Sequence, residues 1–222
     1  MRRRVLWCGV LALLASSPAV RGQGDAEYEA RAREAIRKLG GTLTVDPTRP
    51  GRPVVRLDLN GSNVTDADMR WVAGFPYLRT LSLAGTRVTD AGMKWLQELK
   101  YLQTLYLTYT GVGDRGVKRL SALKNLEVLG LSYTDVTDAG LVDLRSLKKL
   151  QWLALTHTSV TDQGLSSLKR LAGLHTLYLD NTLITKKGLQ HLKELPLERL
   201  SYAGTKAVEG DVDGFRKKSG SP

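Results

Sequence analysis

Three histidines, a single cysteine and a column of evenly spaced aspartates are the residues of this 222-residue chain best suited to chemistry. Histidines move protons or bind metals, and regularly spaced aspartates can hold calcium. The spacing favours none of these uses. His157, His175 and His191 fall in a turn, at the start of a strand and on a helix, at different depths of the repeating coils, so they are not expected to converge. No carboxylate pair, nucleophile elbow or metal-ligand spacing accompanies them. Asp180 lies one coil from His157, within reach of a hydrogen bond, but the hydroxyls nearby are of ordinary sheet and turn type. Asp66, Asp90, Asp138 and Asp162 each follow a threonine at a predicted helix start, where a hydroxyl or carboxylate accepts an unpaired amide hydrogen and negative charge is favoured. Capping explains this column without a metal, and the column fails at Lys186-Lys187, which a shared metal ladder would not tolerate. The chain therefore reads as a non-enzyme with no cofactor and no metal site.

The remaining candidate, Cys8, belongs to the N-terminus. Arg2, Arg3 and Arg4 precede an apolar run from Val5 to Ala15, and small residues follow, the pattern of a secretory signal peptide over residues 1–22. Cleavage is expected after Gly22 or after Ala19. The mature chain then has no cysteine, which excludes disulfides, thiolate zinc sites and cysteine nucleophiles. Too few apolar residues precede Cys8 for lipid attachment. The eleven-residue run is also shorter than the roughly 17–25 residues of a spanning helix, and no later segment spans. The charge changes as well. The full chain has 33 basic and 22 acidic residues, a net +11, and loss of residues 1–22 removes four arginines and no acid, leaving +7. Export argues against an intracellular nucleic-acid partner.

The elements that position the other residues follow from a repeat. Leucine pairs occur at Leu57/Leu59, Leu81/Leu83, Leu105/Leu107, Leu129/Leu131, Leu153/Leu155 and Leu177/Leu179, at intervals of 24, and Leu200/Tyr202 follows after 23. Ser62, Thr86, Thr110, Thr134, Thr158, Thr182 and Thr205 form a second column, and Val64 to Ile184 a third. Each unit predicts a short strand, a turn and a helix of about ten residues, the helix in the fourth unit carrying Leu141, Leu144 and Leu147 as its apolar stripe. One such unit cannot bury its own leucines, so neighbours must stack.

The segment Leu126 to Leu147 resembles a leucine-rich repeat with threonine where the commonest form has asparagine, and the resemblance spans Pro53 to Lys206. Its Thr-Asp-x-Gly-Leu version is similar to repeats of secreted bacterial leucine-rich-repeat proteins and of the substrate-binding half of F-box ubiquitin-ligase subunits. The resemblance implies an α/β fold: a right-handed solenoid of about seven parallel strands on a concave face, with helices on the convex face. The threonine column is expected to bond backbone groups of the adjacent coil, as asparagine ladders do. Gly92, Gly116, Gly140, Gly164 and Gly188 are expected to let coils approach closely.

Residues 23–52 predict an N-terminal cap, a helix from Asp25 to Leu39 and a strand from Thr42 to Asp46, ahead of the repeats at 53–206. Residues 207–222 read as a cap remnant, with Val208, Val212 and Phe215 over the last coil, and a disordered tail. Lys100, Lys124 and Lys148 recur at helix C-termini, and Lys118, Arg119, Lys169, Arg170 and Lys193 read as part of a solvated convex face mixed with acids, with weak attraction to anionic polymers. Asn60 and Asn63 open glycosylation sequons, relevant only in a glycosylating host.

Alternate residues of the strands face the concave side. The middle strands carry no charge there but do carry Tyr106, Trp152 and Tyr178, and the adjoining turn position adds Tyr109, Tyr133 and His157. With Asp180 these form the candidate partner-binding set, and Gly130 and Ala154 are expected to leave hollows beside the rings. The reading is a secreted or periplasmic monomer, without a membrane span once the signal is removed, that binds a protein, peptide or glycan through the concave sheet and binds no nucleic acid. Two alternatives stand beside it: a structural scaffold of the cell envelope, and F-box-like substrate recruitment for ubiquitin ligation, against which the export signal and the lack of a preceding F-box-like segment both weigh.

Overall fold

The leucine pairs stand side by side in a single eight-stranded sheet whose strand order is the chain order. The computed structural model describes residues 23–207. The expected signal peptide, the C-terminal cap residues Val208, Val212 and Phe215 and the tail lie outside them. The chain enters through α1 (Gln23–Lys38) and β1 (Thr42–Val45), and then runs β2 (Val54–Asp58), α2 (Met69–Val72), β3 (Thr80–Ser82), a 3₁₀ helix (Gly92–Leu96) and β4 (Thr104–Tyr106). It continues through α3 (Asp114–Leu120), β5 (Val128–Gly130), α4 (Asp138–Leu144), β6 (Trp152–Ala154), α5 (Asp162–Leu168), β7 (Thr176–Tyr178), α6 (Lys186–Gln190) and β8 (Arg199–Ser201). Strands β2 to β8 are parallel and in register, Leu57 beside Leu81, Leu81 beside Leu105, and so on to Leu177 beside Leu200. The α/β architecture and the open parallel sheet agree with the expectation.

Burial explains why the units stack. Leu57, Leu81, Leu105, Leu129, Leu153 and Leu177 have no exposed surface, and the core runs unbroken from Ala32 to Ala207. Each leucine buried contributes about 1.5–3 kcal/mol relative to exposure, and an isolated coil would leave most of that unrealised. At the N-terminal end α1 buries Ala32 and Ile36, while β1 pairs antiparallel with β2, Thr42 opposite Asp58 and Leu43 opposite Leu57. Helix plus strand therefore cover the first coil.

The structure differs from the sequence reading in two local features. The repeat helices are seven residues or shorter, not about ten. Leu141, Leu144, Leu147 and Leu150 are spaced by three, and beyond Leu144 that spacing is carried by successive tight turns, with Leu147 N donating to Leu144 O at 2.9 Å and Leu150 N to Leu147 O at 3.0 Å. A period of three suits 3₁₀-like turns as well as a helix stripe. The threonine column also bonds differently. Each hydroxyl donates within its own coil to the carbonyl three residues earlier: Thr86 to Leu83, Thr110 to Leu107, Thr134 to Leu131 and Thr158 to Leu155, at 2.6–2.7 Å. A hydroxyl on a short side chain closes a local turn, where the longer asparagine amide can span to a neighbour.

The aspartates supply the bond between coils. Thr137 caps α4, its hydroxyl accepting from Ala139 N at 3.3 Å, and Thr161 and Thr185 do the same for α5 and α6. The carboxylates, however, serve the following coil. Asp114 Oδ1 accepts from Thr137 N (2.8 Å) and Gly140 N (2.9 Å), and its Oδ2 accepts from the Thr137 hydroxyl at 2.7 Å. Asp66 repeats the device in full, Asp90 holds the two amides Gly113 N and Gly116 N, and Asp138 and Asp162 hold the amide and hydroxyl of Thr161 and Thr185. The glycine column is the other half of this joint, because a Cβ at Gly140 would sit 2.6 Å from Asp114 Oδ1, and the same holds for Gly92 against Asp66 and Gly116 against Asp90. The column ends at Lys186, and among the described residues no helix follows α6. At helix C-termini, Lys124 Nζ donates to Ser121 O at 2.6 Å, satisfying an end carbonyl of α3, whereas Lys148 reaches Arg170 O of the next coil and Lys100 lies 3.7 Å from Glu98.

Candidate functional site

Strand register brings two aromatic groups together on and beside the sheet. On the sheet face Tyr106 of β4 and Trp152 of β6 flank Gly130 of β5, which is paired with both strands. The Tyr106 and Trp152 rings meet edge-on with centroids 6.2 Å apart, and Tyr178 of β7 lies 5.5 Å from Trp152. The space over Gly130 is not a hollow. A Cβ there would meet Tyr106 Cδ1 at 3.0 Å and Trp152 at 3.8 Å, so the rings lean over the glycine. They cover it because burying ring surface against backbone is more favourable than leaving both wet.

The second group lies in the turn after each strand. Tyr109, Tyr133 and His157 occupy one position of three successive coils and stack face to face, with centroids 4.1 and 4.3 Å apart and planes within 20° of parallel. The spacing falls just short of the roughly 4.8 Å between neighbouring strands. Tyr109 is 59% exposed and Tyr133 38%, and His157 is also exposed. All three have positive φ, 56°, 56° and 54°. The equivalent positions in other coils are Gly61, Gly85, Asn181 and Gly204, residue types that adopt this conformation at little cost. A tyrosine there is strained by about 1–3 kcal/mol. Backbone bonds hold the geometry, Tyr109 N donating to Ser132 O, Tyr133 N to Thr156 O and His157 N to Asp180 O. A hydrogen bond to Tyr133, the largest of several causes, raises the Tyr109 phenol above its ordinary value.

Between the two groups run Thr108, Ser132 and Thr156, so an uncharged row of hydroxyl-bearing residues separates sheet-face rings from stacked rings. The Asp180 side chain does not serve His157. Its carboxylate accepts from the Ser201 hydroxyl at 2.5 Å and from Ala203 N at 2.8 Å, tying the last coil to the one before, as Asn60 does for Ala84 N at the other end. His175 Nδ1 lies 3.0 Å from its neighbour's Thr176 hydroxyl, and His191 caps α6. Among the described residues no group of three or more acids, histidines or cysteines is placed to hold a metal, and no helix is long and apolar enough to cross a membrane. The strained backbone of the ring column was missed at the sequence level. The signal was present, since glycine and asparagine fill the same column elsewhere.

Three consecutive segments, residues 76–96, 98–121 and 122–144, match a family model described as leucine-rich repeat. Among solved structures, an internalin C2 of Listeria monocytogenes is similar at a TM-score of 0.59 and 21% identity, over 85% of this chain and 88% of that one. A second internalin of the same organism is similar at a TM-score of 0.50 and 19% identity, over 67% of this chain and 48% of that one. At these identities the likeness is one of fold. No curated protein matches the sequence.

Proposed function

We propose, from the premise that this chain is a leucine-rich-repeat protein, that it is an exported, non-catalytic binding module. Its repeats make it a protein of the interaction-module type; the surface, the export and the kind of partner are the proposal. The sheet face and its adjoining turn would capture a protein, peptide or glycan outside the cytoplasm, in the secreted or periplasmic space. The observation that carries this reading is the ring column. Three successive coils place Tyr109, Tyr133 and His157 in a backbone conformation that costs each of them, and the rings remain exposed. Local strain retained at an exposed aromatic row is a mark of function rather than of folding. The neutral hydroxyl row and the rings Tyr106, Trp152 and Tyr178 extend the surface with rigid groups that lose little entropy on contact. Arg2 to Arg4 and the apolar run from Val5 to Ala15 support export.

Two variants test the reading. Tyr109→Gly/Tyr133→Gly/His157→Gly installs the residue already used at Gly61, Gly85 and Gly204, so the variant is expected to melt within a few degrees of the native chain. Tyr106→Ala/Trp152→Ala/Tyr178→Ala strips the sheet face. Crosslinking in the native extracellular or periplasmic fraction should recover partners with the unmodified chain and lose them with either variant. Undiminished recovery by both folded variants would overturn the proposal.

A further inference from the structure

The helix side carries a feature that the reading above does not use. One helix position is cationic in three consecutive coils, Arg70, Lys94 and Lys118, and all three side chains are exposed. The next position holds Trp71, Trp95 and Arg119. The Arg70 guanidinium lies 4.9 Å over the Trp71 ring and Lys94 Nζ 5.0 Å over Trp95, so the cations rest on half-buried tryptophans. Such contacts are weak at exposed sites and orient a charge without neutralising it. Arg115, Lys118 and Arg119 of α3 then line an open cleft of about 470 Å³ with Gln97, Ser121 and one acid, Asp143.

An ordinary solvated face looks different in this same molecule. On α1, Arg31 pairs with Glu27, Arg33 with Glu29 and Lys38 with Glu34, each one helical turn apart. Among the described residues Arg70, Lys94, Lys118 and Arg119 form no ion pair, so the solvated convex face expected around Lys118 and Arg119 leaves these cations unbridged. Of the nearby acids, Asp68 is occupied by Thr65, accepting from its amide at 2.9 Å and its hydroxyl at 2.7 Å, and Asp143 lines the cleft without bridging to the row. The row stops at Val142, Ser166 and Gln190, which take the same position in the next three coils.

We propose that this row is a binding site for a linear acidic polysaccharide. Unpaired cations repeating along one axis match a polymer whose acid groups repeat along its length, and helix packing at about 8–10 Å makes the Arg70-to-Lys118 span roughly 16–20 Å. Single-stranded nucleic acid would need free ring faces for its bases, and these tryptophans are packed inward beneath their cations. A bilayer would need apolar side chains to enter it, and the exposed large hydrophobics beside the row are Val142 and Tyr28, whose ring lies against Trp71 with its hydroxyl donating to Arg70 O.

The test measures binding of the full chain to heparin, with neutral dextran, single-stranded DNA and phosphatidylglycerol vesicles as parallel arms. Arg70→Gln/Lys94→Gln/Lys118→Gln/Arg119→Gln is compared with Arg31→Gln/Arg37→Gln/Lys38→Gln/Lys169→Gln, which removes equal charge elsewhere. Heparin binding is expected to weaken about tenfold or more in the first variant, with a shallower salt dependence, and to stay within about twofold in the second. The variant lacking Tyr106, Trp152 and Tyr178 should bind heparin undiminished, which separates this site from the sheet face. Equal losses in the two charge variants, or retention by DNA or vesicles in preference to heparin, would overturn the proposal. Circular dichroism confirms that each variant is folded.

Discussion

Asp114 makes three hydrogen bonds to the coil that follows it, and no bond of the threonine column does the same work. Replacing it with alanine leaves Thr137 N, Gly140 N and the Thr137 hydroxyl without their charged acceptor. Asp114→Ala is therefore expected to cost roughly 2–3 kcal/mol in urea unfolding, while Asp135→Ala, at an exposed position outside the ladder, should change stability by less than about 0.5 kcal/mol. A similar loss from both would show that the ladder does not hold the coils. Asp66, Asp90, Asp138 and Asp162 were legible as capping residues because a threonine precedes each of them at a helical stripe. Their reach into the next coil was not, since sequence spacing gives the residue type at a helix start but not the direction of its carboxylate. For Asp180 the register suggested His157, and the carboxylate instead satisfies Ala203 N and the Ser201 hydroxyl, because an unpaired amide at the last coil is the stronger demand.

At the scale of elements, α1 closes a core that would otherwise end at Leu57 and Leu59. Ile36 is fully buried there, and Ile36→Ala should destabilise the chain by about 2–4 kcal/mol in thermal or denaturant melts. An effect under about 0.5 kcal/mol would mean that the first coil needs no cover. Helix, strand and their order were readable from the Asp25 to Leu39 segment and from the Thr42 to Asp46 run. Helix length was not, because leucines three apart satisfy a helical stripe and a chain of tight turns alike. The sheet-face rings were placed correctly by the alternation within Leu-x-Leu, yet the space over Gly130 depends on ring rotamers, which alternation does not determine. The positive φ of Tyr109, Tyr133 and His157 was written in the column they share with glycines and an asparagine.

For the whole molecule, stability is approximately a sum over coils and their joints, so it need not be uniform. The coils between β4 and β6 have neighbours on both sides, whereas among the described residues β8 has one. Native-state hydrogen exchange should find the amides of β8 and its following turn opening first and those of β4 to β6 last. Uniform protection would show that the array opens all at once. The period itself, and with it the parallel sheet, was fully legible, because a spacing of 24 repeated in register leaves one economical way to bury the leucines.

The joint described for Asp114 has a consequence for how such a chain can change. Each carboxylate accepts from the amide at the same position of its successor, 23 residues on, and Asp66, Asp90 and Asp114 also accept from the glycine amide three residues beyond it. Excising residues 114–137 would bring Asp138 directly after Gly113, so that Asp90, which now accepts from Gly113 N and Gly116 N, would find Gly140 N in the place of Gly116 N. The coil walls would close without a new surface having to be invented. The couplings are interchangeable. Duplication or loss of a whole unit is thus structurally cheap, and reach, curvature and the number of stacked rings can be altered by copying rather than by redesign.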